Sequence, residues 1–188
     1  MRPAQGLVVS NHLSYLDILV YAAAMPCVFV AKREVRDWPA FGFFARCGGT
    51  VFIDRQSRAS TDDAARQIDE ALQAGVVVMV FPEGTSTDGS EVFRFHPSLL
   101  EPAVQLGVDM TPAAIAYRVQ GGEERDVCYY GDVHFVPHLL QTLGRPEVAA
   151  DVEFFPERGA YAERKTAAVG LRDRVQAMRQ RIRRTSGT

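Results

Sequence analysis

The hydrophobic residues of the chain follow two alternating patterns, one typical of strands and one typical of helices. Segments with apolar residues three or four positions apart predict helices, the last of which spans 161–184. Strands that alternate with such helices predict one α/β domain over residues 1–188, with a central mostly parallel or mixed sheet flanked by helices. The short apolar runs that predict the strands lie at 6–10, 27–31, 50–53, 76–81, 110–117, 126–136 and 148–155.

Residues at the ends of the apolar runs predict how the helices begin and pack. Ser14 is placed to cap the first helix, and Asp17 lies three residues later, where a carboxylate can reach back toward the turn. A short aromatic segment, 38–44, predicts a further helix that starts at Pro39. The long C-terminal helix is expected to pack through one apolar side, formed by Val169, Val175, Met178 and Ile182.

Polar clusters follow directly after the first four predicted strands. Asn11 and His12 follow the first strand and Lys32 the second, while Asp54 and Arg55 follow the third and residues 82–85 the fourth. Because the carboxyl ends of parallel strands meet at one edge of a sheet, and ligands collect there, we expect these clusters to lie together. The sequence therefore predicts the functional site at this edge.

Composition is that of an ordinary globular protein. With 188 residues, 47% of them hydrophobic, the chain is long enough to bury a sizeable core, and its net charge of −2 argues against a general nucleic-acid binder. Cys27, Cys47 and Cys128 lie far apart, without metal-site spacing, and are interpreted as small core residues in a reducing compartment. No apolar run is long enough to span a bilayer, so any membrane association has to come from the surface.

Positive charge is concentrated in the first third of the chain and in the C-terminal tail. Such clusters favour anionic lipid head groups or phosphorylated ligands, although a run of charges is also typical of a solvated helix face. Both interpretations stay open for the tail, whose basic residues are Arg172, Arg174, Arg179, Arg181, Arg183 and Arg184.

His12 and Asp17 are the candidate acid/base pair. With His12 on a strand-to-helix turn and Asp17 in the first helical turn, the two side chains can meet. A carboxylate then fixes the imidazole tautomer and stabilises the imidazolium that forms when the other ring nitrogen takes a proton. Taken alone, the same spacing also fits a surface histidine followed by a helix-capping aspartate.

Two later segments have the chemistry of a substrate grip. Arg55 follows a buried strand, and its guanidinium binds phosphate bidentately, although an ion pair with Asp54 fits the spacing equally well. The turn at Glu83, Gly84 and Thr85 combines a carboxylate, a glycine and a hydroxyl, and can direct backbone N–H groups at an oxyanion or a phosphate. The turn could equally be structural.

Taken in order, these segments resemble the motifs of the glycerophospholipid acyltransferase family, of the 1-acylglycerol-3-phosphate (lysophosphatidic acid) acyltransferase type. Residues 11–17 correspond to N-H-x-S-x-x-D, 49–55 to G-x-x-F-I-x-R and 81–85 to F-P-E-G-T. The looser fourth motif, an apolar strand with a proline, corresponds to 111–115, and 131–135 and 154–157 resemble the family's tail more weakly. Order and spacing agree over roughly residues 6–117.

The resemblance implies transfer of a fatty acyl group from an acyl thioester, acyl-CoA or acyl carrier protein, to the free hydroxyl of a lysophospholipid, first of all lysophosphatidic acid. His12 is then the general base and Asp17 orients its ring. Arg55, with Lys32 adding charge, is expected to hold the acceptor phosphate. The resemblance implies no metal, no cofactor and no nucleic acid.

The same resemblance implies that the turn at Glu83, Gly84 and Thr85 helps to hold the acceptor. The backbone N–H groups near Gly84 are expected to donate hydrogen bonds to the oxyanion as well. A peripheral location on the inner, cytoplasmic face of the cell membrane follows from the lipid acceptor. Members of the family usually carry a hydrophobic helix or helix pair before the first motif, whereas His12 lies close to the start of this sequence. Either the chain is a shortened version with weaker anchoring, or its true start lies upstream.

Other functions stay open on the sequence. The acceptor could be another lysolipid, such as lyso-ornithine lipid, and the chain could be a non-catalytic lipid-binding relative. A serine hydrolase with Ser86 as nucleophile is a weaker alternative, because the segment lacks the second glycine of G-x-S-x-G. His96, His134 and His138 have no acidic partner on a comparable turn and are expected to be structural or exposed.

Overall fold

A six-stranded sheet forms the centre of the computed structural model, which describes residues 2–33, 50–54, 58–155 and 159–185. The strand order is β3-β2-β4-β1-β5-β6, and β6 alone runs antiparallel to its neighbour. The prediction of a mostly parallel or mixed sheet is therefore confirmed. The strands are β1 (Gly6–Ser10), β2 (Val28–Lys32), β3 (Val51–Ile53), β4 (Val77–Val80), β5 (Met110–Val119) and β6 (Val148–Phe154).

Helices cover both faces of the sheet. Their bounds are α1 (Leu16–Ala24), α2 (Arg58–Gln73), α3 (Glu101–Gln105), α4 (Phe135–Leu143) and α5 (Arg164–Thr185), with short 3-10 turns at Pro97–Leu99 and Glu124–Val127. No helix in the described part of the chain is both long and apolar enough to cross a membrane.

The alternation of side chains along the central strands divides the core into two layers. Leu7 and Val9 of β1 pack with residues of α2 and α5, whereas Val8, between them, packs with Tyr21 of α1 on the other face. All five β1 residues are buried, as expected for a strand covered on both faces. The turn that leaves β1 therefore starts from one of the most constrained parts of the molecule.

The segment 126–136, predicted as a strand, does not form one. Glu123 and Asp126 make reciprocal side-chain to backbone hydrogen bonds that close the 3-10 turn Glu124–Val127. A loop with Gly131 at φ +63° follows, and α4 begins at Phe135. Local hydrogen bonding by these acidic side chains thus prevails over the apolar pattern.

The C-terminal helix packs as predicted through Val175, Met178 and Ile182, but not through Val169, which is 64% exposed. Residues on one helix face recur every three or four positions, so the face that contains Val175 continues through Leu171 rather than through Val169. The predicted helix at 38–44 lies outside the described residues, as does Cys47, while Cys128 is buried and Cys27 partly so.

Candidate active site

His12 and Asp17 are in direct contact at the carboxyl edge of the sheet. His12 lies on the turn after β1, and Asp17 is the second residue of α1, so five residues of chain bring the side chains together. The distance between His12 Nδ1 and Asp17 Oδ2 is 2.7 Å. Asp17 is fully buried, whereas the His12 side chain keeps 20% of its surface exposed. Because an ionised carboxylate only accepts hydrogen bonds, Nδ1 carries the proton and Nε2 has the free lone pair.

Asp17 also organises the turn on which His12 lies. Its Oδ2 accepts the backbone N–H groups of Leu13 at 2.7 Å and Ser14 at 3.1 Å, and its Oδ1 accepts the hydroxyl of Tyr117 at 2.6 Å. The prediction that Ser14 caps α1 is wrong, because the N-cap is Tyr15 and the buried Ser14 hydroxyl has no hydrogen-bond partner among the described residues. The aspartate satisfies the free N–H groups instead.

Three further contacts fix the position of the His12 ring and its backbone. The imidazole stacks on Phe81 with ring centroids 4.2 Å apart, and the backbone carbonyl oxygen of His12 accepts the backbone N–H of Thr87 at 3.0 Å. The Asn11 amide pairs with both backbone groups of Ile115 in β5, at 3.0 Å and 2.9 Å. No described residue forms a hydrogen bond to Nε2, so this nitrogen is available to a ligand.

Glu83 lies beneath His12. Its carboxylate accepts the backbone N–H of His12 at 2.7 Å and that of Phe93 at 2.6 Å, and the residue is only 3% exposed. Burial raises the pKa of Glu83 to about 7, although the two N–H donors and the nearby His12 and Arg179 act in the opposite direction. The carboxylate is thus part of the support of the turn, and a contact between Glu83 and an acceptor stays a prediction.

A cavity of about 240 Å³ opens beside His12. Its wall is mostly apolar, and its polar side comes from the turn that contains Gly84, Thr85 and Ser86 and from the loop that contains Tyr129. Such a cavity suits a long apolar group with a polar reacting end. The apolar wall includes Tyr15, Ile18, Phe29, Ile53, Phe81 and Leu99.

The predicted binding residues are distributed unevenly around this cavity. Gly84 and Thr85 line it, and Gly84 has φ +72°, which a residue with a side chain rarely adopts. The Gly84 N–H donates to the Phe81 carbonyl at 3.1 Å, so it is already used within the turn. Lys32 ends β2, with its backbone alone described, and Arg55 lies outside the described residues.

The geometry disfavours the hydrolase alternative. Ser86 lines the cavity, but its hydroxyl donates to the carbonyl of Tyr129 rather than to His12. A serine nucleophile needs a base within hydrogen-bond distance of its hydroxyl. Ser86 therefore lacks the activated arrangement of a hydrolase.

The other histidines behave as predicted. His138 is buried, donates from Nε2 to the carbonyl of Cys128 at 3.1 Å and accepts the hydroxyl of Tyr15 at 3.0 Å on Nδ1. Burial lowers the pKa of His138, which keeps its ring neutral. His96 and His134 are exposed.

Tyr117, Glu124 and Arg179 complete the surroundings of the pair, and sequence reasoning missed all three. Burial and the negative charge of Asp17 raise the pKa of Tyr117, so its hydroxyl stays protonated and donates. The solvated-face interpretation of the tail is wrong for Arg179, which is 2% exposed and bonds to Glu124 at 2.7 Å. The sequence did contain a signal for Arg179, which lies at the spacing of the core-facing residues of an amphipathic helix. A basic residue in such a position needs an acidic partner.

Comparison with known proteins agrees with the fold and the motifs. The family model described as Acyltransferase matches residues 2–116. A lyso-ornithine lipid O-acyltransferase of Brucella abortus (strain 2308) is 38% identical over 190 residues, covering 93% of this chain and 71% of the relative. A 1-acyl-sn-glycerol-3-phosphate acyltransferase of Neisseria gonorrhoeae is 32% identical over 153 residues, covering 81% of this chain and 60% of the relative.

A solved structure extends the comparison to three dimensions. The crystal structure of the 1-acyl-sn-glycerophosphate (LPA) acyltransferase PlsC from Thermotoga maritima superposes with a TM-score of 0.64 at 23% identity, covering 97% of this chain and 68% of that one. The α/β fold is therefore shared, although this chain spans only about 60% to 71% of the length of the curated relatives described above. The matched segment contains the whole turn that joins His12 to Asp17, and on this basis the chain belongs to the acyltransferase family.

Proposed function

We propose that this protein transfers a fatty acyl group from an acyl thioester to the free hydroxyl of a lysolipid. The observation that carries the proposal is the 2.7 Å contact between His12 Nδ1 and Asp17 Oδ2 beside a mostly apolar cavity. The cavity suits an acyl chain, and the free lone pair of His12 Nε2 can accept a hydroxyl proton. Family membership supports the same chemistry.

The proposed reaction needs one base and no covalent enzyme intermediate. Nε2 of His12 takes the hydroxyl proton while the acceptor oxygen forms a bond to the thioester carbonyl carbon. Asp17 stabilises the imidazolium by accepting from Nδ1–H. When the tetrahedral intermediate collapses, the carbon–sulfur bond breaks and the leaving thiolate takes the proton from the imidazolium. Because every proton returns to a product, the enzyme ends in its initial state.

The acceptor is proposed in two forms, each with its own support. Lysophosphatidic acid is favoured by the motif position of Arg55, since a guanidinium suits a phosphate. Lyso-ornithine lipid is favoured by four relatives that bear this name, 33% to 39% identical to the chain. The donor is proposed as acyl-CoA or acyl carrier protein, because either presents the same thioester.

We also propose that the protein works at a membrane surface, on the cytoplasmic side where acyl thioesters are found. The support is the nature of the acceptor, which resides in a bilayer. An exposed apolar face near the cavity, on α4, adds to this support.

Thiol release from an acyl thioester, measured with and without each lysolipid, tests the proposal. We expect acceptor-dependent release, with mass spectrometry identifying the acylated lipid, and a loss of at least about a hundredfold in His12→Ala. His134→Ala, which removes an exposed histidine away from the cavity lining, is the matched control and should retain full activity. Release without any acceptor would indicate hydrolysis, and no release with either acceptor would indicate a binding protein.

A further inference from the structure

The two oxygens of the Asp17 carboxylate have different donors. Among the described residues, Tyr117 is the one whose side chain donates a hydrogen bond to Oδ1. Oδ2 accepts from the His12 ring and from two backbone N–H groups, whereas Oδ1 accepts from Tyr117 at 2.6 Å. Tyr117 belongs to β5, one hundred residues along the chain from Asp17, and none of the sequence motifs includes it. The contact is therefore a separate feature of the site.

We propose that Tyr117 is a positioning residue for the proton transfer, because its hydroxyl fixes the Asp17 carboxylate and sets the proton affinity of the His12–Asp17 pair. The kinetic consequences rest on the acyl-transfer function proposed above. The hydrogen bond itself does not depend on which substrate is used.

The direction of the effect follows from charge. With a neutral imidazole the pair carries one negative charge, and with an imidazolium it carries none. A donor to the carboxylate stabilises the more negative state more strongly, so it opposes protonation of the base. Loss of the Tyr117 hydroxyl should therefore make His12 protonate at higher pH and leave the carboxylate less firmly oriented.

The other ionisable groups described near the pair form no hydrogen bond to Asp17 Oδ1. Glu83 supports the His12 backbone, the Cys128 thiol is kept protonated by burial that raises its pKa, and Arg179 bonds to Glu124. Tyr21 is the informative neighbour. It is as buried as Tyr117, but its hydroxyl pairs with Ser10 at 2.6 Å.

Two matched variants separate positioning from packing. Tyr117→Phe and Tyr21→Phe each remove one buried hydroxyl and keep the ring, so any effect of losing a buried hydroxyl on packing is common to both. For Tyr117→Phe we expect kcat to fall about tenfold at pH 7 and the low-pH limb of kcat/KM to move up by about one pH unit, with KM values within about twofold of wild type. Tyr21→Phe should keep the wild-type kcat and pH profile.

A measurement without substrate separates this inference from the proposed function. The proton between His12 Nδ1 and Asp17 should give a downfield proton NMR signal, assigned by its loss in His12→Ala. We expect that signal, and the pH at which the His12 ring titrates, to shift in Tyr117→Phe but not in Tyr21→Phe. These shifts in a protein that turns over no lysolipid would support the inference and contradict the proposed function. An unchanged signal and titration in Tyr117→Phe would overturn the inference.

A third protein keeps the test decisive should Tyr117→Phe fail to fold. Replacement of Tyr117 by 3-fluorotyrosine retains the ring and makes the hydroxyl a stronger donor. The His12 titration and the low-pH limb should then move to lower pH, opposite to the effect of phenylalanine. No movement, or movement in the same direction as phenylalanine, would contradict a role for the hydroxyl.

Discussion

Glu83 illustrates how a buried carboxylate can support the turn that contains the candidate base and also lower the stability of the protein. It satisfies two backbone N–H groups, those of His12 and Phe93, that would otherwise be buried without a partner. Burial nevertheless disfavours its ionised form, and its pKa is raised from 4.5 to about 7. The turn thus contains a group that titrates near neutral pH directly beneath the candidate base.

The raised pKa of Glu83 predicts a loss of stability with rising pH. Between pH 4.5 and 7 the folded protein keeps a proton that the unfolded chain releases, so the group favours folding at low pH and this contribution is lost as the pH rises. We expect a loss on the order of 3 kcal/mol in unfolding free energy over this interval. Urea unfolding at pH 4.5 and pH 7 should show the loss in wild type, and Glu83→Gln should lack this component.

Glu91→Gln, which changes an exposed glutamate on the same loop, is the matched control for Glu83→Gln. It should follow the wild-type pH dependence. If Glu83→Gln also followed it, the buried carboxyl would not be the group that titrates.

The C-terminal helix α5 shows how one element serves both the core and the site. One of its faces packs through Leu171 and Val175, while a neighbouring polar strip bonds to the loop that follows the F-P-E-G-T turn. In that strip, Arg172 donates to the carbonyl of Val92 at 2.8 Å and Arg179 to the carbonyl of Gly89 at 2.5 Å. The helix therefore holds in place the loop whose Thr87 donates to the His12 carbonyl and whose Phe93 donates to Glu83.

Gly89 fits this contact because it has no side chain. Its φ is +81°, and a Cβ at this position would lie 2.4 Å from Nη2 of Arg179. The close approach of guanidinium and backbone therefore depends on a glycine here.

We predict that Arg179→Ala destabilises the protein by about 3 kcal/mol, because it removes the nearer of the two arginines from the largely buried Glu124, which is left with the Tyr117 N–H and with Arg183 at 4.0 Å. Arg179 also donates to the carbonyl of Ile115 at 2.9 Å, so β5 loses a contact as well. Thermal or urea unfolding measures the effect. Arg184→Ala is the matched control, since Arg184 is exposed on the same helix and should change stability by no more than about 0.5 kcal/mol. Similar losses in both variants would contradict a special role for the buried pair.

On the scale of the whole molecule, the sequence predicted those features that depend on local pattern. The α/β alternation, the parallel sheet and the meeting of Asn11, His12 and the 82–85 turn at one edge follow from apolar periodicity and the strand-end rule. The contact of Tyr117 with Asp17 could not be predicted in this way. Strand order and register place them together, and neither is encoded in the spacing of apolar residues along one segment.

The same distinction explains the errors. The apolar pattern of 126–136 predicted a strand, but the hydrogen bonds of Glu123 and Asp126 compete locally with strand formation. The burial of Arg179 was not predicted, because its partner, Glu124, is 55 positions away in the chain. Local patterns identify elements, whereas pairs distant in sequence decide which polar groups are buried.

The arrangement of α4 bears on the membrane association proposed above. Phe135, at the start of the helix, contacts Tyr15 with ring centroids 5.1 Å apart, and Tyr15 lines the cavity. The opposite face of α4 is apolar and exposed, so the same helix joins a residue of the cavity wall to an apolar surface. Its residues, with the one that precedes the helix, are Val133, Val136, Leu140 and Leu143, which are 40%, 58%, 65% and 72% exposed.

We therefore predict that Leu140→Ser/Leu143→Ser lowers binding to phospholipid vesicles at least about tenfold, because each leucine contributes roughly 1.5–3 kcal/mol when buried in an apolar phase. Co-sedimentation with vesicles of phosphatidylglycerol and phosphatidylcholine measures this directly. Turnover of a vesicle-borne lysolipid should fall in parallel, whereas turnover of a short-chain, water-soluble analogue should not change. Val169→Ser removes an equally exposed apolar residue from α5, at 64% exposure, and should leave vesicle binding unaltered. Equal losses at both places would mean that vesicles bind through general surface hydrophobicity rather than through the face beside the cavity.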